Sequence, residues 1–251
     1  MVHVTLNRPD RKNAITRAML DELAALLDEV ERIPDDRVVV LTGAGDAFCS
    51  GADLTDRDNA ALFAGGRGGA LSGMRTFSAV AARLHRLTKP TVAAVNGVAT
   101  GAGANLALGC DLVVAADDAR FSQIFVRRGL TVDFGGTWLL PRLVGMQRAK
   151  ELALLGDMVS ADRAEAIGLV NRVVPRAGLD AAVAELAARL AAGPPIAMGF
   201  IKAGLNQAFA LSMDDALELE SANQATCFAT ADTAEAMRAF VERRDPKFEG
   251  R

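Results

Sequence analysis

Three short apolar runs constrain this chain more than anything else in it. Arg37 to Thr42 carries Val-Val-Val-Leu, Thr91 to Val95 is Thr-Val-Ala-Ala-Val, and Asp111 to Ala115 is Asp-Leu-Val-Val-Ala. Runs this short and this continuous fit strands covered on both faces, which are typical of parallel sheets. Helical patterns alternate with them. Met19, Leu20, Leu23, Leu26, Leu27 and Val30 recur at three- and four-residue steps until Pro34. Met74, Phe77, Val80, Leu84 and Leu87 do the same before Lys89-Pro90. The order strand, helix, strand, helix, strand predicts parallel strands joined by crossovers, an α/β fold. With 251 residues, 51% of them apolar, the chain can bury one full α/β domain, or at most two small ones.

Shorter signals complete the outline. Residues 2–6 and 120–122 read as strands, as does the extended piece 171–174. Gly43 to Ser50 reads as a turn-rich exit. Ala60 to Gly73, rich in Gly and Ala without a period, reads as a loop. Helical patterns follow over 146–155, 161–167, 179–192, 195–210, 213–229 and 232–244, so the last third is predicted to be helical.

The residue inventory narrows the chemistry. The formal net charge is −3, which does not suit a nucleic-acid surface. No apolar run reaches the length of a membrane span. The N-terminus lacks a basic start followed by an apolar block, so no signal peptide is expected. Three scattered cysteines, Cys49, Cys110 and Cys227, argue for a reducing compartment, and the expected location is the cytoplasm. Only His3 and His85 are present, and there is no Tyr. A histidine triad or a multi-histidine metal site is not expected, and proton transfer falls to carboxylates, Lys or Cys.

Two glycine-rich turns follow apolar strands: Cys49-Ser50-Gly51-Ala52-Asp53-Leu54 and Gly101-Ala102-Gly103-Ala104. Glycine lets backbone N–H groups approach a ligand, and a helix N-terminus leaves such donors unpaired. Two such turns are able to aim two donors at one oxygen, although either alone reads equally well as an ordinary tight turn. A dinucleotide fingerprint is not met, because Leu106 stands where its third glycine belongs. Asp133, between apolar residues and Gly135-Gly136, reads either as a helix N-cap or as a carboxyl whose pKa an apolar wall raises. Arg127-Arg128 and the basic end Arg243, Arg244, Lys247 and Arg251 fit either a phosphate contact or a solvated face. For the C-terminal group, balance of the acidic stretch at 214–220 is the alternative to a phosphate contact.

Taken together, these stretches resemble the enoyl-CoA hydratase/isomerase (crotonase) superfamily. The resemblance is carried by Leu6-Asn7-Arg8-Pro9 with Asn13-Ala14, Leu41-Thr42-Gly43 to Leu54, and Lys89 to Gly97. It continues through Gly101-Ala102-Gly103, Cys110-Asp111, Gly135-Gly136-Thr137, Ala166 to Asn171 and Phe240 to Phe248. It implies a spiral of ββα units over residues 1–190 and a helical C-terminal trimerisation region over 191–251. It implies homotrimers or dimers of trimers that act on acyl-CoA thioesters, with coenzyme A as part of the substrate and no further cofactor or metal. The N–H groups of Ala52 and Ala102 match the oxyanion-hole positions. Lys12, Ala14, Gly51, Asp53, Leu54, Gly101, Asn105, Phe125, Leu130 and Phe134 match substrate- or CoA-binding segments. The resemblance also implies a further strand ahead of residue 1.

Departures from the family pattern bear on the reaction. Hydratases of this family carry two glutamates that handle one water, and this chain has Asn105 and Phe125 at those positions. Asp133 falls where some family isomerases, ring-opening epoxyphenylacetyl-CoA isomerases among them, place a catalytic aspartate. The expected function is therefore an acyl-CoA double-bond isomerase with Asp133 as its single acid/base. The alternative is a hydratase-like paralogue that binds acyl-CoA without hydratase activity. The Ala60–Gly73 segment is expected to shape the acyl pocket, with Phe63, Met74, Phe77, Phe125, Phe134 and Trp138 suggesting an apolar or aromatic acyl group.

Overall fold

The computed structural model describes residues 1–57, 59–60 and 66–251, the backbone alone at 66 and 67. Two sheets organise the first two-thirds of the chain. The larger holds β1 (Val2–Leu6), β2 (Val39–Gly43), β4 (Thr91–Val95), β6 (Leu112–Ala116) and β9 (Arg172–Val174), in the spatial order β1-β2-β4-β6-β9. Every pairing in it is parallel. The smaller holds β3 (Ala47–Cys49), β5 (Val98–Thr100), β7 (Arg120–Ser122) and β8 (Val159–Ser160), in that order.

Strands β2, β4 and β6 each hand the chain directly to a short strand of the second sheet, β3, β5 and β7 in turn. Asn96, at the β4–β5 turn, makes one such corner rigid. Its Nδ2 donates to the carbonyls of Gly43 (2.7 Å) and Gly45 (3.0 Å), and its Oδ1 accepts from the Gly43 N–H. Two successive ββα corners are thereby tied through one side chain.

The helices cover the sheets for legible reasons. Thr16 caps α1 (Arg17–Arg32), its side chain accepting from the Met19 N–H, and Leu20, Leu23, Leu27 and Val30 form its buried stripe. Helix α2 (Gly66–Arg86) packs Phe77, Val80 and Leu84 into the core. Helix α3 (Ala102–Leu108) is buried along its whole length. Then come a 3-10 turn (Ile124–Arg128), α4 (Gly136–Val144), α5 (Met146–Leu155), α6 (Ala161–Ala166) and α7 (Leu179–Ala191). The C-terminal helices are α8 (Pro195–Gln207), α9 (Met213–Phe228) and α10 (Ala231–Glu242).

Helix α8 docks on the core through Lys202, whose Nζ lies 2.8 Å from the Asp111 carboxylate and donates to the Lys89 carbonyl. Asn206 donates to the His85 carbonyl on the same face. The outer side of the C-terminal helices leaves Ile201, Leu205, Phe209, Met213, Phe240 and Val241 exposed. No helix among the described residues is long and apolar enough to cross a membrane.

The structure corrects the sequence reading at several points. Gly43 to Ser50 is not only a turn, because Ala47–Cys49 forms β3 and is fully buried. Val98–Thr100, inside the glycine-rich stretch, forms β5. The pairing of β7 with β8 is antiparallel. Gly66 to Gly73 belongs to α2 rather than to a loop. Its glycines weaken a helix by about 1 kcal/mol each, but the buried anchors Phe77, Val80 and Leu84 offset that cost by a larger amount. Residue 58 and residues 61–65, with Phe63 among them, lie outside the described residues. Arg244 pairs with Glu235 and Glu242, not with the 214–220 stretch, because the chain turns back on α10 after Arg243.

Candidate functional site

Both glycine-rich turns end at the same place. Gly51 sits at φ +97° and Gly101 at φ +55°, a region where a side chain is strained and glycine is not. The Thr100 hydroxyl donates to the Ser50 carbonyl at 2.9 Å, joining the turns. A Cβ added at Gly51 would lie 3.7 Å from the Ala102 nitrogen.

The N–H groups of interest are free. Ile15 bridges this strand end, its N–H donating to the Gly51 carbonyl and its carbonyl accepting from the Asp53 N–H. That alternation turns the Ala52 N–H to the opposite side. Ala102 is the first residue of α3, where an N–H has no partner within the helix. Among the described residues neither N–H has a hydrogen-bond acceptor. Two unpaired backbone donors at adjacent turns, one of them at a helix N-terminus, form a site for a single negative oxygen.

Asp133 is anchored to the same helix. One turn into α3 from Ala102, the buried Asn105 donates from Nδ2 to the Asp133 carbonyl at 2.8 Å. That offset is about 4.5 Å along the helix axis. Asn105 is itself oriented by Gln123, whose Nε2 donates to its Oδ1 at 2.9 Å. The Gly136 N–H also donates to the Asp133 carbonyl, and Phe134 is held at φ +50° beside it.

The side chain of Asp133 is left unoccupied. Its Oδ1 is buried with no hydrogen-bond partner. Burial pushes its carboxyl up to about 6, the range in which a carboxyl exchanges protons at neutral pH. The cap alternative fails, because Gly135 is the N-cap of α4 and no side chain caps that helix. Cysteine offers no rival base here. Burial pushes the thiols of Cys49 and Cys110 up to about 12.

The other residues singled out from the sequence fall into two groups. Asn105, Phe125 and Phe134 are buried, Asn105 and Phe134 beside the anchored Asp133 backbone, and a Cβ at Gly101 would touch the Phe125 ring. Lys12, Leu54 and Leu130 are exposed. Lys12 lies beside the first turn, its carbonyl accepting from the Ser50 N–H. Ala14 is buried, and its carbonyl accepts from Arg8 at 2.7 Å. The Asp53 carboxylate is fully engaged by Thr55 and by Arg8 at 3.0 Å. Hydrogen bonds from Thr55, reinforced by Arg8, hold it below the usual carboxylate range. That side chain braces the turn, so ligand contact there falls to backbone. Arg8→Ala is expected to destabilise the protein by about 2 kcal/mol in urea unfolding, because a buried carboxylate loses its charged partner.

Sequence reasoning missed Gln123, which orients Asn105. It also missed the part played by His85 and Lys202, which line a cavity beside Asn105. Arg127 pairs with Asp157, so it is not a free phosphate contact. Among the described residues no cluster of three His, Cys, Asp or Glu side chains is placed to hold a metal ion.

The sequence profile of the enoyl-CoA hydratase/isomerase family matches residues 1–251. The chain belongs to that family. It is 43% identical over 248 residues to an Escherichia coli protein named 1,2-epoxyphenylacetyl-CoA isomerase, covering 99% of this chain and 94% of that one. It is 40% identical to a short-chain-enoyl-CoA hydratase of Clostridium acetobutylicum, covering 98% and 92%. The crystal structure of an enoyl-CoA hydratase from Bacillus anthracis superposes with a TM-score of 0.93 at 32% identity, covering 99% of this chain and 95% of that one. The crotonase spiral of ββα units with a helical C-terminal region is therefore the fold of this chain. Relatives of similar identity carry hydratase and isomerase names, so the family sets the class of reaction and the site has to decide within it.

Proposed function

We propose that this protein is an acyl-CoA double-bond isomerase with Asp133 as its only acid/base. The observation that carries the reading is the Asp133 carboxyl itself, desolvated and without a partner at Oδ1. In this reading the ionised carboxylate takes a proton from the α-carbon of a 3-enoyl thioester. The electron pair moves toward the thioester carbonyl, whose oxygen becomes anionic. The N–H groups of Ala52 and Ala102 hold that oxygen, each donor lowering the barrier by about 3–4 kcal/mol. Asp133 then returns the proton at the γ-carbon, and the double bond has moved by one position.

The side chains at 105 and 125 support isomerisation over hydration. Asn105 uses both ends of its amide as a clamp, and Phe125 is buried and apolar. Neither exchanges a proton, so addition of water lacks the second acid/base it needs. The segments at Lys12, Ala14, Gly51, Asp53 and Leu54 are assigned to the coenzyme A moiety. The exposed apolar outer face of the C-terminal helices is assigned to contact between copies, in a trimer or dimer of trimers, which sedimentation checks directly.

The test is proton exchange. Incubated in heavy water with 3-enoyl- and 2-enoyl-CoA, the protein is expected to exchange α- and γ-protons and shift the double bond, followed by NMR. Formation of 3-hydroxyacyl-CoA without a shift would refute the isomerase assignment. The pH profile follows from the same group. With Asp133 as the base, kcat/KM rises with pH through about 6 and then levels, because the ionised form starts the reaction.

A further inference from the structure

A cavity of about 640 Å³ opens beside Asn105 and Phe134, the two residues that flank the anchored Asp133 backbone. It runs between the C-terminal half of α2, the start of α4 and the inner face of α8, with Ala81, Ala203 and Leu139 among its walls. Its volume is on the scale of a drug-sized ligand, far more than a two- to four-carbon acyl group fills. One wall is a fixed aromatic stack. Trp138 meets His85 edge-on, with centroids 4.9 Å apart and planes at 74°. The Arg142 guanidinium lies 3.9 Å over the Trp138 ring and 5.2 Å from the Phe209 ring.

The wall charges are muted apart from that of Arg86, which is exposed to solvent. Burial, with the charge of Lys202 next, holds His85 below its usual range, so it is neutral at pH 7. Lys202 is neutralised by Asp111 at 2.8 Å. A large space with neutral aromatic and aliphatic walls, starting at the residues that flank the candidate base, suits an apolar group that extends from the reacting carbons.

We infer that this cavity is the acyl compartment, and that it selects a medium-chain or ring-bearing apolar acyl group over a short one, with Trp138 as the wall that touches it. The inference rests on the acyl-CoA reading of the site but not on Asp133 turning substrate over. Trp138 is the single tryptophan of the chain, so its emission reports occupancy without catalysis.

The experiment titrates the full-length protein with octanoyl-CoA, acetyl-CoA and coenzyme A, neither thioester carrying a double bond to isomerise. Heats of binding and Trp138 fluorescence are followed together. Octanoyl-CoA is expected to bind at least tenfold more tightly than acetyl-CoA, since each further buried methylene contributes several-fold in affinity. It is also expected to shift Trp138 emission to the blue, with coenzyme A leaving it unmoved. Ala81→Phe and Ala203→Phe, which fill the cavity from opposite walls, are expected to cut the octanoyl-over-acetyl preference at least tenfold. Two fillers guard against one failing to fold. Tight octanoyl-CoA binding with unmoved Trp138 emission, or a preference unchanged in both folded fillers, overturns the compartment and leaves the acyl-CoA reading standing. Absence of heat with every thioester overturns both.

Discussion

Asp133→Asn is expected to lose double-bond shift and α-proton exchange by three orders of magnitude or more, with CoA-thioester affinity changed less than threefold. A positioned general acid/base contributes a factor of about 10²–10⁴. Among the described residues the candidate positions for a second acid/base hold Asn105 and Phe125, and the thiols of Cys49 and Cys110 are pushed up to about 12. The substitution is close to isosteric. The backbone clamps from Asn105 and Gly136 act on the Asp133 carbonyl, not on its side chain, so they persist in the variant. A variant that binds octanoyl-CoA normally and still shifts the double bond at the parental rate would remove Asp133 from the chemistry.

The same substitution carries a second signature in stability. The carboxyl is pushed up to about 6 when folded and returns to the ordinary carboxylate range, near 4, when unfolded. Between these values the folded state binds the proton more tightly. Its stability is therefore full below about pH 4 and falls as pH rises through about 6, a loss of about 3 kcal/mol. Asp133→Asn has no such term. Denaturant midpoints are expected to fall with pH for the parent relative to the variant, over pH 4–7. Parallel curves would mean that the folded carboxyl is solvated and has no raised pKa.

What the sequence made legible follows from the range of each interaction. Strands β2, β4 and β6 were readable because each lies in a run of at least four largely buried, mostly apolar residues. Helix α1 was readable because its stripe, cap and terminal proline are all local. The three-residue strands β3 and β5 and the two-residue β8 are too short to show a period. The N-terminal half of α2 was misread because its glycines speak for a loop, while its stability comes from anchors near the other end. The site divides in the same way. The turns at Gly51 and Gly101 and the apolar setting of Asp133 leave local marks. The clamp does not, since Gln123 reaches Asn105 across 18 residues. The cavity under α8 depends on a Lys202–Asp111 pair that spans far more chain than any pattern covers. Asp133 itself was legible as a charged residue in an apolar stretch, but only the structure removed the cap reading, by showing Gly135 at the N-cap.

Gly103→Ala is expected to damage both stability and rate, because its added methyl meets the backbone that leads into the first turn. Its Cβ would lie 2.4 Å from the Cys49 carbonyl oxygen and 2.7 Å from both Cβ and Sγ of Cys49. Cys49 is fully buried at the end of β3, and Ala102 and Ala104 beside the glycine are buried too. The obstacle is backbone fixed in a sheet rather than the tip of a flexible side chain, so relief requires α3 and β3 to move apart. Overpacking of this kind costs about 3 kcal/mol. The movement also separates the two turns, because Cys49 leads into Gly51-Ala52 and Gly103 follows Ala102. A shift of about 1 Å between reacting groups is enough for a 100-fold loss of rate. The expected result is a lower urea midpoint together with a fall in kcat/KM of at least 100-fold, surviving at temperatures where the variant is fully folded. Gly68→Ala in α2 is the control, since its added Cβ meets nothing within 4 Å and alanine favours the helix by about 1 kcal/mol. If Gly103→Ala matched that control in both stability and rate, the two turns would not be held in register by the α3–β3 contact, and the paired-donor site would lose its structural basis.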